Sequence, residues 1–199
     1  MPDYSYEKAA REKGYTLICG VDEAGRGPLS GPVCAAAVIL PENCEIAGLN
    51  DSKKLSEKAR ERLFPQIVEK AVAYHVAYAS VEEIEEHNIL EATYIAMNRA
   101  IEGLSTAADF ALIDGNRIPR DIKIPCETVV KGDAKSMSIA AASVLAKVSR
   151  DRLMLEIDRE YPEYNFKKHK GYGTAEHVAA IKEYGPCPVH RMSFLKNIL

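Results

Sequence analysis

The sequence predicts an α/β fold: a mixed five-stranded sheet flanked by helices, with a helical C-terminal region. Three observations predict it. Five short apolar, β-rich runs end in polar or glycine-rich clusters, the stretches between the later runs switch to helical spacing, and the first two runs are separated only by a turn. Strands first in succession and then alternating with helices argue for a sheet of mixed direction, not a purely parallel doubly wound one.

Residues 1–14 carry both charge signs and no apolar stretch, so they predict a surface helix packed on the domain and not a secretory signal. Thr16 to Val21 is the first strand. Val33 to Leu40, after the turn GRGPLSGP, is the second. It is also the longest purely apolar run, far short of the ~20 residues a membrane helix needs. Ser56 N-caps a helix through about Val72, and Ala73 to Ala79 alternates partly, as a strand with one covered face should. Ser80 with Glu83 three residues on makes a capping box for a short segment, and Ile89 to Ile101 then has helical spacing. Phe110 to Ile113 and Thr128 to Val130 are the fourth and fifth strands. The longest helical stretch runs from Ser138 to about Glu160, and Thr174 opens a last helix through Tyr184, stopped by Gly185 and Pro186. No repeat, low-complexity tract or linker intervenes, so 1–199 reads as one domain with a helical segment from about 174.

Hydrophobic residues at 47% and charged residues at 28% over 199 residues allow one sizeable core and exclude disordered and fibrous classes. The net charge of −3 gives no general attraction to nucleic acid, although Lys167, Lys168, His169 and Lys170 form a local basic run. The five cysteines are odd in number and none form a C-x-x-C pair, so neither a disulfide framework nor a zinc ribbon is suggested. Cys19 and Cys34 read as small core residues, and the expected compartment is the reducing cytoplasm.

Chemistry concentrates at strand ends. Asp22 and Glu23 close the first strand, Asp114 ends FALID, and Asp133 follows the fifth strand in VVKGD. Singly, each is more often a turn or cap residue. Together, carboxylates converging at one sheet edge repel one another unless cations neutralise them. Hard oxygen donors with no nearby His or Cys suit Mg²⁺ or Mn²⁺, and such a cluster suits a pair of ions about 3.5–4 Å apart acting on a phosphodiester. Gly25-Arg26-Gly27 follows directly, and its glycines let backbone groups approach a ligand such as a ribose, whose 2′-hydroxyl separates RNA from DNA. Lysines in Asp51-Ser52-Lys53-Lys54-Leu55 suit phosphate contacts, and Tyr172, between two glycines, suits stacking on a sugar or base. The alanines of Ala140-Ala141-Ala142-Ser143 are explained by close helix packing. His75, His87 and His177 read as surface or strand residues, and His190-Arg191 equally as a phosphate contact or as packing.

The runs GVDEAGRGPLSGPV, LNDSKKLS, LIDGN, VVKGD with SIAAASVLAKVSRD, and HKGYGT resemble bacterial ribonuclease HII (type 2 ribonuclease H), in order, from about Cys19 to Phe194. The resemblance implies a ribonuclease H-like fold and a metal-dependent endonuclease of DNA replication and repair. It implies hydrolysis of the RNA strand of RNA–DNA hybrids and cutting 5′ to ribonucleotides embedded in duplex DNA, by a two-metal-ion mechanism with Mg²⁺ or Mn²⁺. Asp22, Glu23, Asp114 and Asp133 match its catalytic metal ligands, with Asp22 bridging the ions. Gly25, Arg26 and Gly27 match its ribose-sensing turn, and Tyr172 its ring on the following deoxyribose. Lys53, Lys54 and Ser143 fall where similar proteins approach the phosphate backbone. The sister family, ribonuclease HIII, usually adds an amino-terminal substrate-binding domain and has glutamate at the fourth carboxylate. Here about fifteen residues precede the first strand and position 133 is Asp, which favours HII. A module that only holds hybrid duplex predicts a missing carboxylate, and a junction resolvase of the same fold gives no reason for GRG or GYG. A monomer, with no membrane association, is the default expectation.

Overall fold

The computed structural model describes residues Met1 to Leu199. In chain order the elements are α1 (Ser5–Glu12), β1 (Ile18–Ala24), β2 (Val33–Ile39), α2 (Glu57–Lys70), β3 (Ala73–Ala79), α3 (Val81–Glu102), β4 (Phe110–Asp114), β5 (Cys126–Val129), α4 (Met137–Glu160), α5 (Phe166–His169) and α6 (Ala175–Tyr184). Short 3₁₀ turns lie at Ser52–Lys54, Gly132–Ala134, Pro162–Tyr164 and Met192–Phe194. The five strands form one sheet in the order β3-β2-β1-β4-β5, antiparallel from β3 to β1 and parallel from β1 to β5. The mixed sheet expected from the sequence is present.

Its apolar runs follow from what covers each face. Along β2, Val33, Ala35, Ala37 and Ile39 share a core with Ala92, Ala96 and Met97 of α3. The alternate residues Cys34, Ala36 and Val38 pack with Leu63 and Ile67 of α2 and with the start of α4. A strand covered on both faces has no polar side to show, so its sequence is continuously apolar. Leu63 and Ile67 are fully buried, each worth about 1.5–3 kcal/mol of burial.

The helix ends explain most departures from expectation. The first strand continues to Ala24, which places Asp22 and Glu23 inside the strand and not beyond it. The fifth begins and ends earlier than expected, and Val130 is left exposed. Helix α2 stops at Lys70 because Ala71 is extended and Val72 already donates to the carbonyl of Ile39, two residues sooner than the pattern suggested. Ser80 and Glu83 form the expected capping box on α3. Asn88 then breaks the helix at φ 70°, ψ 164°, and its Oδ1 accepts from the amides of Leu90 and Glu91 at 2.9 and 3.3 Å. The two helical segments read from the sequence are therefore the two arms of one kinked element.

Helix α4 lies across β1 and β2, and Gly20 is where they meet. A Cβ there would run into the backbone of Ser138 and Ile139, so only glycine allows this approach. Ser136 caps α4, accepting from the amide of Ile139 at 3.2 Å. Glu7 of α1, 3% exposed, accepts from Ser136 Oγ at 2.6 Å and from the Ser138 amide and hydroxyl at 2.9 and 2.5 Å. A carboxylate on the amino terminus of a long helix is favourably placed. No helix is long and apolar enough to cross a membrane.

Candidate active site

Parallel pairing brings the carboxylates together. Val21 pairs with Ile113, so the next residue on each strand, Asp22 on β1 and Asp114 on β4, stand side by side at the carboxyl end of the sheet. Side chains alternate along a strand, so Glu23 leaves on the opposite face. Even so, one carboxylate oxygen from each of Asp22, Glu23 and Asp114 lies within 4.8 Å of the others. Asp133 is outside that trio. It sits in the 3₁₀ turn after β5, where Lys131 takes the left-handed conformation, and Gly132 ties it in by donating to Asp114 Oδ1 at 2.6 Å. The structure thus gathers three of the four expected carboxylates tightly and holds the fourth through a neighbour.

The electrostatics are those of crowded, buried like charges. Asp22, 4% exposed, is raised well above the usual carboxylate range by burial and then by Glu23 and Asp114. Glu23 is raised by burial, with Asp114 adding to it and Arg26 opposing, at an ion-pair distance of 3.5 Å. Burial, Asp114 and Asp51 push Asp133 up to about 6. Burial alone would depress the Lys53 ammonium, but the summed fields of Asp22, Asp133, Asp114 and Asp51 raise it. Oxygen donors without imidazole or thiolate fit a hard divalent cation such as Mg²⁺ or Mn²⁺, which would relieve this repulsion.

The cluster opens on two sides. A cavity of ≈ 370 Å³ is lined by Glu23, Arg26, Thr93, Tyr94, Asn116 and Arg117, among others. A second, of ≈ 320 Å³, is lined by Asp51, Lys53, Lys54, Lys131 and Asp133 with Asp114. Lys53 and Lys54 were expected here from the sequence; Lys131, Asn116 and Arg117 were not, although each lies within three residues of a predicted carboxylate, Asp133 or Asp114. The structure places Ser143 beneath the lysine turn and not on it. At 2% exposure, its Oγ accepts from the Ser52 amide at 3.3 Å and donates to the Ala140 carbonyl.

Gly25-Arg26-Gly27 leaves the end of β1 directly beside the carboxylates. Gly25 has φ +99°, which disfavours any side chain, and its carbonyl accepts from Arg191 at 2.7 Å. Arg191 also donates to the Arg26 carbonyl at 3.1 Å. It is 0% exposed, so packing, not phosphate contact, is its role. A Cβ at Gly27 would stand 3.8 Å from the Tyr172 ring, placing the turn and the tyrosine next to each other. Tyr172 is 44% exposed, with Lys147 Nζ 5.9 Å from its ring centre.

Beneath Tyr172, His177 corrects the surface assignment: it is 0% exposed, between Tyr172 and His190. A carbonyl only accepts, so His177 Nδ1 donates to Tyr172 O at 2.9 Å. Its Nε2 must then accept from His190 Nε2 at 3.0 Å, and His190 Nδ1 accepts from the Cys187 amide at 3.0 Å. Both rings are therefore neutral, and burial holds His177 down to about 4. Nitrogen-15 imidazole spectra at pH 5.5 should show His177 as the neutral Nδ1–H tautomer. A charged ring at that pH would contradict the chain of donors.

Comparison with known proteins agrees with this architecture. The family model described as Ribonuclease HII matches residues 19–197. The chain is 55% identical over 196 residues to ribonuclease HII of Caldicellulosiruptor saccharolyticus, covering 98% of this chain and 95% of that one. It is 56% identical to that of Clostridioides difficile over 194 residues, covering 98% and 76%. Among solved structures, ribonuclease H2 from Pyrococcus horikoshii OT3 superposes with a TM-score of 0.75 at 27% identity, covering 89% of this chain and 93% of that one. The fold is thus ribonuclease H-like. Agreement this close over nearly the whole length, on a sheet whose parallel strands end in carboxylates, leaves one assignment: the chain belongs to the ribonuclease HII family.

Proposed function

We propose that this metal-dependent nuclease hydrolyses the RNA strand of RNA–DNA hybrids and also cuts 5′ to ribonucleotides embedded in duplex DNA, leaving a 3′-hydroxyl and a 5′-phosphate. The observation that carries the reading is the adjacency of three parts. The carboxylate cluster, the Gly25–Gly27 turn and the Tyr172 ring lie together on one end of the sheet. Asp22, Glu23, Asp114 and Asp133 would hold two Mg²⁺ or Mn²⁺ ions. When bound, these supply charge neutralisation and a water of lowered pKa.

The chain's own groups do the rest. Asp22, the most buried of the four, faces both Glu23 and Asp114 and would help hold the ions. The turn presents backbone to a ribose 2′-hydroxyl, and Tyr172 offers a half-exposed ring for the next sugar. Lys53 and Lys54, beside the cluster, meet phosphates, while Ser143 supports their turn from below. The whole chain acts as one catalytic domain, as a monomer, and its free cysteines suit a reducing cytoplasm.

The test is cleavage of a duplex carrying one ribonucleotide, a continuous RNA–DNA hybrid, an all-DNA duplex and a four-way DNA junction, each with Mg²⁺ or Mn²⁺. Cutting of the first two alone, with the single-ribonucleotide product ending 5′ to the ribose, is expected. Cutting of the junction, or of DNA lacking ribose, would overturn the assignment of the turn.

A further inference from the structure

The two largest fully buried side chains are Arg150 of α4 and Arg191, 1% and 0% exposed. None of their recorded acceptors is a carboxylate; all are backbone carbonyls. Arg191 donates to Gly25, Arg26, Pro28 and Gly31 at 2.7–3.1 Å. Arg150 donates from Nε to Pro32 at 3.0 Å, from Nη2 to Ser30 at 2.9 Å and from Nη1 to Lys170 at 2.9 Å. Burying a guanidinium against neutral groups is costly, and an apolar side chain of similar volume serves packing at least as well. What two such arginines add is fixed geometry.

That geometry concerns the two elements that face substrate. In a planar trans peptide, one residue's carbonyl and the next residue's N–H point to opposite sides. With the carbonyls of Gly25 and Arg26 turned in to Arg191, the amides of Arg26 and Gly27 turn away from it, and neither donates to other backbone. Arg150 packs against this turn, since a Cβ at Gly25 would run into its Nε, and it joins the segment that follows the turn to the tyrosine loop. Its planar fork spans from Ser30 and Pro32 on one side to Lys170, two residues before Tyr172, on the other. The Leu29 amide donating to Gly171 O at 2.8 Å is the parallel backbone link.

We propose that Arg150 is a positioning residue for substrate selection, holding the ribose-sensing turn and the Tyr172 ring at one separation, so that an RNA-to-DNA step is read as a unit. This rests on the reading of the turn and of Tyr172 given above. Arg150→Lys keeps the charge and an aliphatic stem but replaces a three-way planar donor by a point charge. Single-turnover cleavage of the duplex with one ribonucleotide and of the continuous hybrid is compared below each protein's melting temperature.

The ratio of the two rates should fall roughly 10-fold or more in the variant, a misplacement of one ångström being able to cost about 100-fold. The hybrid rate should change much less, because no deoxyribose follows the cut. Arg150→Gln removes the buried charge and reads the same ratio where the lysine variant does not fold. A ratio within twofold of wild type in a folded variant overturns the proposal, as does a parallel loss on both substrates. Wild-type enzyme with no preference between the two would instead remove the Tyr172 reading, and this inference with it.

Discussion

Asp22→Asn should abolish cleavage and at the same time make the metal-free protein more stable. The loss of rate should be on the order of 10³-fold or more, since a charge facing the reacting centre disappears with little change of shape. The gain in stability follows from the repulsion around Asp22. Its folded-state pKa lies above the usual value through burial, Glu23 and Asp114, so its ionised form destabilises the fold. At pH near 4 and below, the carboxyl is protonated in the folded state and this cost is absent. It sets in as pH rises and is complete above the folded-state pKa.

The difference in Tm between variant and wild type in EDTA should therefore be small at pH 4.5 and grow toward pH 8. Relief of about 1–2 kcal/mol would raise Tm by about 2–4 °C per kcal/mol in a chain of this size. Saturating Mg²⁺ should shrink or reverse the difference, because wild type gains the ion and the variant gains less. Thermal melts across pH, with and without the ion, check it. A variant that cleaves like wild type, or whose Tm advantage grows as pH falls, would sink the role given to Asp22.

Tyr172→Ala should give the second large effect, and one that depends on substrate. Stacking is worth about 1–3 kcal/mol per base in single-strand binders, or roughly 5- to 150-fold at one decade per 1.4 kcal/mol. The loss should be larger on a DNA–RNA–DNA duplex than on a continuous hybrid, where a ribose hydroxyl already interferes with the stack. Tyr172→Phe should keep most activity, since the ring face does the stacking. A ring that merely packed α6 onto the domain would give equal losses and a lower Tm, but at 44% exposure Tyr172 has little packing to lose. Equal losses on both substrates would reject sugar reading.

Much of this molecule is legible locally. The capping box at Ser80, the separate helical stretch from Ile89 and the apolar run of β2 each record a short-range rule, and the structure keeps them, with the kink between the two helical arms at Asn88. The carboxylates are legible too, because acids closing three separate apolar strands, each ordinary alone, converge on one sheet edge. Other features depend on contacts between distant segments. The rise of Asp133 comes from burial and then from Asp114 and Asp51, both distant in sequence, and the Lys131–Asp133 turn meets Asp114 only when β5 lies beside β4. Arg191 was undecided, since nothing beside it in sequence says that four carbonyls await it. Arg150 did leave a trace: Ile139, Ser143, Ala146, Arg150 and Met154 form one buried stripe at helical spacing, and a charge in that stripe marks a buried donor.

The bond from Arg191 to Gly25 spans 166 residues of sequence. The turn beside β1 and its two acids therefore reaches its final form only once the distant segment that carries Arg191 has closed onto it. Contacts of such separation close late and slowly. Loss of the Arg191 guanidinium should therefore leave the strand-borne carboxylates in register while the Gly25–Gly27 turn loses its anchor.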